Sequence, residues 1–297
     1  MFVLFPLLTA AWGAPPPPLV GGHPTEEYAA VGVLTATVDE ERVPFCSCSL
    51  VSPQVVLTAA HCLEVIAEAE DMGLPVEVVF GDRLQGGDPL LAAVHPVQTF
   101  AHPNWDPDTL AHDLALVILD EAPGLDPLPL AEAEAPAALA DGAATFVGWG
   151  VTGDLRHDGG IKRAVTLPIE DITDLYLYTF DPTHGWNLCS GDSGGPALVE
   201  SDGQPAIVGV ASLVFADRPD GAVCAGGHGR AARVDIDRDW IIAKADRSVG
   251  SGGVADLGPA VASGGGLESK SGACQTSPGG ALPTLLLLIA LCAPRRR

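Results

Sequence analysis

A serine lies among three glycines in the segment 191–196, which reads GDSGGP. Glycines let the backbone turn sharply, so that several N–H groups can point at one spot and bind an oxyanion. A serine hydroxyl in such a turn becomes a nucleophile when a neighbouring base takes its proton. The segment therefore indicates covalent catalysis through Ser193, provided that the chain also supplies a base.

Two segments upstream supply the other residue types that this chemistry needs. Residues 57–62 read LTAAHC and contain His61, and residues 112–116 read HDLAL and contain Asp113. The nucleophile elbow of α/β-hydrolases has the same G-x-S-x-G pattern, but there the acid and the histidine follow the serine and a helix comes next. In this chain a β-type apolar run follows, and His228 is the only histidine downstream. The order His, Asp, Ser favours the arrangement of chymotrypsin-like proteases.

The chain resembles the trypsin/chymotrypsin family of serine proteases from residue 19 to residue 245. The motifs TAAHC, DLAL, GWG and GDSGGP stand in the family's order and spacing, and the four together are specific. The resemblance implies a serine endopeptidase that acts on proteins or peptides and needs no cofactor and no metal. The seven other histidines show no paired metal-ligand spacing, and we interpret them as surface or turn residues.

The resemblance also implies a role for each residue of the site. Ser193 is the nucleophile, and His61 is the base that later returns the proton to the leaving amine. Asp113 orients the imidazole, and Ser212 donates a hydrogen bond to this aspartate. The N–H groups of Gly191 and Ser193 form the oxyanion hole.

Activation in the family requires an α-amino group, released by cleavage, that pairs with the aspartate before the nucleophile. The corresponding residues are Leu19 and Asp192. Leucine replaces the usual isoleucine or valine, and the preceding prolines offer no arginine or lysine to a trypsin-like activator. We expect a zymogen with a short pro-segment at 14–18 and an unidentified activating protease.

Three positions correspond to the family's primary specificity pocket. Asn187 stands where trypsins have an aspartate, so a preference for arginine or lysine is not expected. Val214 replaces a glycine of the pocket wall, as in elastase-like members, while Gly229 leaves the opposite wall open. A small or medium uncharged P1 side chain is expected to fit best.

Seven cysteines occur, at positions 46, 48, 62, 189, 224, 274 and 292. Exported chains usually pair their cysteines, but five remain when the two in the tail are set aside, and counting does not give the connectivity. The resemblance implies the pairs Cys46–Cys62 and Cys189–Cys224. Cys48 is then the odd residue, which we interpret as a buried free thiol.

The elements that must position these residues are short strands. Apolar runs such as 114–119 and 206–215 are separated by Gly, Pro, Asn or Asp, which predicts an all-β chain. The resemblance implies two six-stranded antiparallel β-barrels of the chymotrypsin type with a short C-terminal helix, which the sequence places at 239–245. The Ala/Glu-rich stretches 63–72 and 131–139 fit either a short helix or an acidic loop.

Length and charge limit the class of protein. A chain of 297 residues with 47% hydrophobic and 18% charged residues can bury a substantial core, which excludes disorder throughout. Its 15 Lys+Arg and 38 Asp+Glu give a formal net charge of −23. Because such a surface repels phosphate backbones, a nucleic-acid partner is not expected. We expect a monomer.

Both ends of the chain have the composition of targeting signals. Residues 1–13 contain an apolar run followed by small residues, which is typical of a signal peptide. A protease domain at 19–247 is followed by a Gly/Ser-rich linker at 248–280 and by a hydrophobic helix with a basic tail at 281–297. Cys274, a short apolar helix and terminal arginines resemble the sorting signal of myxobacterial surface proteins (MYXO-CTERM).

These ends predict export, with a sorting or processing peptidase cleaving near Cys274. The protein would be secreted, with transient or lasting membrane anchoring through the tail at the cell surface or outer membrane. An ordinary tail anchor is the alternative, although helices need about 20 residues to cross a bilayer and this apolar segment is shorter.

Two other functions are compatible with parts of the sequence. A binding protein could use the same fold without catalysis, although all three residue types of the triad are present. An α/β-hydrolase esterase would explain the serine segment, but neither the chain order nor the strand pattern.

Overall fold

The computed structural model describes residues 19–86, 89–132, 139, 142–216 and 221–250. The strands in this part of the chain are β1 (His23–Pro24), β2 (Val31–Val38), β3 (Glu41–Ser52), β4 (Val55–Thr58), β5 (Val76–Phe80), β6 (Ala92–Val94), β7 (Pro96–Ala101), β8 (Ala115–Leu119), β9 (Ala143–Gly148), β10 (Arg163–Ile172), β11 (Tyr176–Thr179), β12 (Pro196–Ser201), β13 (Gln204–Phe215) and β14 (His228–Arg233). The helices are α1 (Cys62–Asp71), a 3₁₀ helix (Asp235–Asp237) and α2 (Arg238–Gly250). The predicted signal peptide, pro-segment, Cys274 and hydrophobic tail, with most of the linker, lie outside the described residues.

The strands form two antiparallel sheets that follow each other along the chain. Strands β2 to β8 form a curled half-barrel in the order β6-β5-β2-β3-β4-β8-β7. Strands β9 to β14 close into a six-stranded barrel because β9 pairs with both β10 and β12, and β1 adds to it beside β10. The predicted all-β fold of the chymotrypsin type is confirmed, with the first barrel open between its edge strands.

The pattern of apolar residues explains which strands are buried. In β2, six consecutive residues are buried, as expected for a strand that is covered on both faces. In β10, buried and exposed residues alternate, as expected for a strand with one face in solvent. The core of the first sheet, around Val33 and Leu50, continues to Trp149 and Val210 of the second. The two sheets are therefore packed firmly against each other where the site lies.

Two helices complete the fold. Helix α1 buries Cys62, Ile66 and Ala69, which share one face of a helix, so a helix is the correct alternative for 63–72. Helix α2 contains the predicted helix and buries Ile241 and Ala245 against the core of the first sheet. Most of 131–139 lies outside the described residues. No helix among the described residues is both long enough and apolar enough to span a membrane.

Two disulfides tie down segments near the serine and the histidine. Cys46 on β3 bonds to Cys62 at the start of α1, and Cys189 bonds to Cys224. The remaining cysteine of the described part, Cys48, is a buried free thiol. Burial raises its thiol pKa strongly, so this cysteine stays protonated and unreactive at neutral pH.

Candidate active site

The glycines beside Ser193 are required by close packing. A Cβ atom at Gly194, where φ is +83°, would overlap the Thr58 hydroxyl and the Ser47 carbonyl. A Cβ atom at Gly195 would overlap the carbonyl of Val147. The loop that contains Ser193 therefore packs directly against strands of both sheets. This close packing leaves no room for side chains at Gly194 and Gly195.

Asp113 and His61 are joined by two hydrogen bonds. His61 Nδ1 lies 2.8 Å from Asp113 Oδ2, and the His61 backbone N–H donates to Asp113 Oδ1 at 3.0 Å. Ser212, at an irregularity in β13, donates its hydroxyl to Asp113 Oδ2 at 2.6 Å. Asp113 is fully buried. An ionised carboxylate only accepts hydrogen bonds, so His61 carries its proton on Nδ1 and presents the Nε2 lone pair.

His61 and Ser193 line one cavity of about 340 Å³. His61 comes from the first sheet, immediately before α1, whereas Ser193 comes from the second sheet, immediately before β12. The remaining walls are mostly apolar and include Leu110, Leu188, Ala211, Leu213 and Val214. His61 and Ser193 therefore face the same cavity beside a largely apolar surface, and no hydrogen bond joins their side chains among the described contacts.

Two backbone N–H groups beside the serine hydroxyl are available to a ligand. The N–H groups of Gly191 and Ser193 donate to no other group in the described part of the chain. Gly191 has φ +94°, and a Cβ atom there would lie 2.8 Å from the Cα of Gly150. Free donors in such a turn can bind an oxyanion.

Asp192 is a buried acid behind this turn. Its carboxylate accepts the N–H groups of Gly150 at 2.9 Å and of Cys189 at 2.9 Å. A Cβ atom at Gly148 or Gly150 would collide with Asp192, which explains both glycines of the GWG motif. Burial raises the Asp192 pKa to about 7, although these hydrogen bonds and the charge of Arg163 oppose the shift.

Residues 19–21 pack against the segment 186–187, which precedes the loop of Ser193. Leu19 is buried, and the Val20 carbonyl accepts the Asn187 N–H at 3.1 Å. A Cβ atom at Gly21 would overlap the Trp186 ring. Within the described residues, no hydrogen bond or ion pair joins Leu19 to Asp192.

The three predicted pocket residues are neighbours: Val214 and Gly229 are paired on β13 and β14, and Gly229 contacts Asn187. Val214 lines the cavity, whereas Asn187 and Gly229 are not among its lining residues. Asn187 is buried, and its Nδ2 donates to the Val223 carbonyl at 3.3 Å. A Cβ atom at Gly229 would lie 2.9 Å from Asn187 Oδ1 and 2.5 Å from Thr179 Oγ1. Asn187 therefore lies beside Gly229, which is paired with Val214 of the cavity wall.

A histidine pair next to Asp113 was misjudged from the sequence. His102 and His112 stack with their ring centroids 4.7 Å apart, and both reach Asp237, at 3.3 and 2.8 Å. His102 opens a turn, where its carbonyl accepts the Trp105 N–H at 2.9 Å, but it is 5% exposed, so the interpretation as a surface residue is wrong for it. It failed because Asp237 is more than a hundred residues away in the chain.

The donor set of this histidine pair does not suit a metal ion. The Asn104 N–H donates to His102 Nδ1 at 3.2 Å, so the proton of the neutral ring lies on Nε2, the atom that faces Asp237. Burial lowers the His102 pKa and favours this neutral form. Another close group joins His61 to Cys46 and Cys62, but these cysteines are bonded to each other.

Ser47 is a contact of the serine loop that the sequence analysis missed. Its hydroxyl bonds to Gly191, 144 residues further along the chain, and its backbone N–H bonds to Ser193 in the same loop. No motif or spacing identifies such a residue, because only the packing of the two sheets brings it there.

Comparison with known proteins gives the family of the chain. The trypsin family model matches residues 19–241. Trypsin 5G1 of Aedes aegypti is 30% identical over 215 residues, which cover 66% of this chain and 74% of the relative. A trypsin of Saccharopolyspora erythraea is 26% identical over 189 residues (60% and 78%), and Trypsin-1 of Astacus astacus is 26% identical over 222 residues (68% and 88%).

The fold and these matches define a serine protease. The chain belongs to the trypsin family.

Proposed function

We propose that this protein is an exported serine endopeptidase that cleaves peptide bonds through Ser193, His61 and Asp113. The observation that carries the proposal is the cavity shared by His61 and Ser193, together with the buried Asp113 that holds the other ring nitrogen. Export and a C-terminal sorting signal are proposed from the sequence of the two ends. The protein is proposed to act as a monomer.

The arrangement supports an acyl-enzyme mechanism. As Ser193 Oγ attacks the peptide carbonyl carbon, its proton passes to His61 Nε2, and Asp113 stabilises the resulting imidazolium. The carbonyl oxygen gains negative charge and is bound by the N–H groups of Gly191 and Ser193. His61 then donates the proton to the leaving amine, and a water molecule, activated in the same way, hydrolyses the acyl-enzyme.

We propose a preference for small or medium uncharged P1 residues. The walls of the cavity are formed largely by aliphatic side chains, and Val214 narrows it. Among the lining residues a positively charged P1 side chain would have no carboxylate partner and a negatively charged one no lysine or arginine, and burying an unpaired charge is costly. A bulky aromatic P1 side chain would clash with the Val214 side chain.

Val214→Gly is expected to widen the specificity of the enzyme. Removing the side chain opens the wall, so kcat/KM for a Phe-P1 substrate should rise about tenfold relative to an Ala-P1 substrate. Chromogenic peptides that differ only at P1 measure this ratio. Val199→Gly on β12 is the matched control, since Val199 does not line the cavity. An unchanged Phe/Ala ratio in Val214→Gly would contradict the pocket assignment.

We propose that the precursor is a zymogen and that the free amine of Leu19 pairs with Asp192. The support is the burial of both residues and the cost of an unpaired buried carboxylate. In a form extended before Leu19, the carboxylate lacks this amine and keeps its raised pKa of about 7. In the unfolded chain an aspartate has a pKa of about 4.

The extended form is therefore expected to lose stability as pH rises from about 4 to about 7. Over this range the folded chain keeps a proton on Asp192 that the unfolded chain has released, so ionisation favours unfolding. Urea unfolding between pH 4 and 8 measures the effect. Asp192→Asn in the same extended form is the control, and it should lack this part of the pH dependence. Identical pH dependence in both proteins would refute the prediction.

Digestion of a peptide library by the form that begins at Leu19 tests the proposed function. Internal cleavage after small or medium uncharged residues is expected, together with labelling by a fluorophosphonate. A correctly processed and folded protein that cleaves no peptide and takes no label would instead be a binding protein. Cleavage mainly after arginine would leave the protease class intact and overturn the proposed P1 preference.

A further inference from the structure

Ser47 connects strand β3 of the first sheet to the loop of the nucleophile. Its hydroxyl donates to the Gly191 carbonyl at 2.8 Å and accepts the Trp149 N–H at 3.0 Å. Its backbone N–H donates to the Ser193 carbonyl at 2.7 Å, and its carbonyl accepts the Thr58 hydroxyl at 2.9 Å. Ser47 is fully buried. One residue thus contacts the carbonyl groups of both proposed oxyanion donors.

Gly191 depends on its neighbours for its orientation. It has no side chain, and its φ of +94° lies in a region that glycine enters and leaves easily. The peptide groups on either side of a glycine can rotate, which would turn the Gly191 N–H away from the cavity. The Gly191 N–H shares its peptide group with the Ser190 carbonyl, which accepts the Val151 N–H at 2.9 Å, whereas the Ser47 hydroxyl holds the next peptide group through the Gly191 carbonyl. The two bonds restrain Gly191 from both sides, and the Ser47 bond opposes rotation of the backbone at Gly191.

The orientation of the Ser47 hydroxyl is itself fixed by a second hydrogen bond. Because it accepts the Trp149 N–H, its own proton is free to point at the Gly191 carbonyl. Trp149 is buried in the core where the two sheets meet. The hydrogen bonds from the Trp149 N–H to the Ser47 hydroxyl and from that hydroxyl to the Gly191 carbonyl therefore tie the oxyanion loop to the buried core between the two sheets.

We propose that Ser47 is a positioning residue for the oxyanion hole: its hydroxyl fixes the peptide group that follows Gly191 and so restrains the Gly191 backbone, which keeps the Gly191 N–H facing the developing oxyanion before substrate binds. This inference rests on the proposed endopeptidase function. Ser47 does not line the cavity and acts on the reaction through Gly191. Preorganised donors stabilise the transition state because they need no reorientation during the reaction.

Ser47→Ala tests the proposal because it removes the hydroxyl and keeps both backbone bonds. We expect kcat to fall about tenfold, less than the 10²- to 10³-fold typical for loss of a whole oxyanion donor. KM and the pH midpoint of kcat/KM should stay unchanged, since neither the pocket nor His61 is altered. Affinity for a peptide boronic acid, which places an oxygen in the hole, should fall by the same factor as kcat.

Two further variants separate positioning from a general packing effect. Ser49 lies two residues further along the same strand and is buried, but it has no bond to the serine loop among the described contacts. Ser49→Ala should therefore keep kcat within about twofold of the wild type. Ser47→Gly leaves space in which one water molecule can replace the hydroxyl, so kcat should lie between wild type and Ser47→Ala. All kcat values are taken per active site, titrated with a burst substrate.

The outcomes are distinct from those of the proposed function. A folded wild-type enzyme without activity would overturn the proposed function itself. An active wild type with an unchanged kcat in Ser47→Ala would overturn the role of Ser47 alone. Equal losses in Ser47→Ala and Ser49→Ala, or failure of both Ser47 variants to fold, would show that Ser47 serves folding and would also refute the proposal.

Discussion

Ser193→Ala is expected to lower kcat by about 10⁶-fold while the protein stays folded and still binds peptides. The substitution removes the atom that forms the acyl-enzyme, and loss of the nucleophile or the base from such a triad has an effect of about this size. What remains is catalysis by the oxyanion hole and by binding alone, about 10³- to 10⁴-fold over water. Hydrolysis of a chromogenic peptide at high enzyme concentration measures the residual rate.

Ser201→Ala at the end of β12 is the matched control for this prediction. It makes the same chemical change in the same sheet, and Ser201 does not line the cavity of Ser193. Its kcat should equal that of the wild type. Residual activity of Ser193→Ala above about one hundredth of wild type would mean that another residue is the nucleophile.

Asp113→Asn is expected to lower kcat by about 10⁴-fold. The amide of asparagine can donate a hydrogen bond to His61 Nδ1, which would leave the imidazole proton on Nε2. In that tautomer His61 cannot take the proton of Ser193. KM should change little, because Asp113 is fully buried and is not a lining residue of the cavity.

Asp106→Asn provides the control for the aspartate. Asp106 lies in the same loop, and its carboxylate accepts the Asp108 N–H and the Thr109 hydroxyl within a local turn. Its replacement should leave kcat within about twofold, as expected for a substitution away from the site. If Asp113→Asn also kept kcat within tenfold, the proposed role of Asp113 would be wrong.

The residue types of the site could be predicted from the sequence because each one carries a local signal. The glycines of GDSGGP and GWG are explained by contacts with Thr58, Ser47 and Asp192 that no other residue would permit. Chain order separated this arrangement from an α/β-hydrolase. The all-β fold was equally accessible, since short apolar runs between turn residues have few other interpretations.

Contacts between distant segments could not be predicted in this way. The burial of His102 depends on Asp237 and Trp240 near the C-terminal helix, and no pattern around residue 102 indicates either partner. The bond between Ser47 and Gly191 depends on the packing of two sheets. The sequence left a helix and a loop as alternatives for 63–72. The segment is a helix, which buries Ile66 and Ala69 on one face.

Peptide mapping by mass spectrometry after fluorophosphonate treatment tests the central claim most directly. The claim is that His61 makes one particular hydroxyl reactive at neutral pH. We expect a single stoichiometric adduct on Ser193, and none when His61 is replaced by alanine. No adduct on the folded, processed protein, or an adduct on any other residue, would contradict the account.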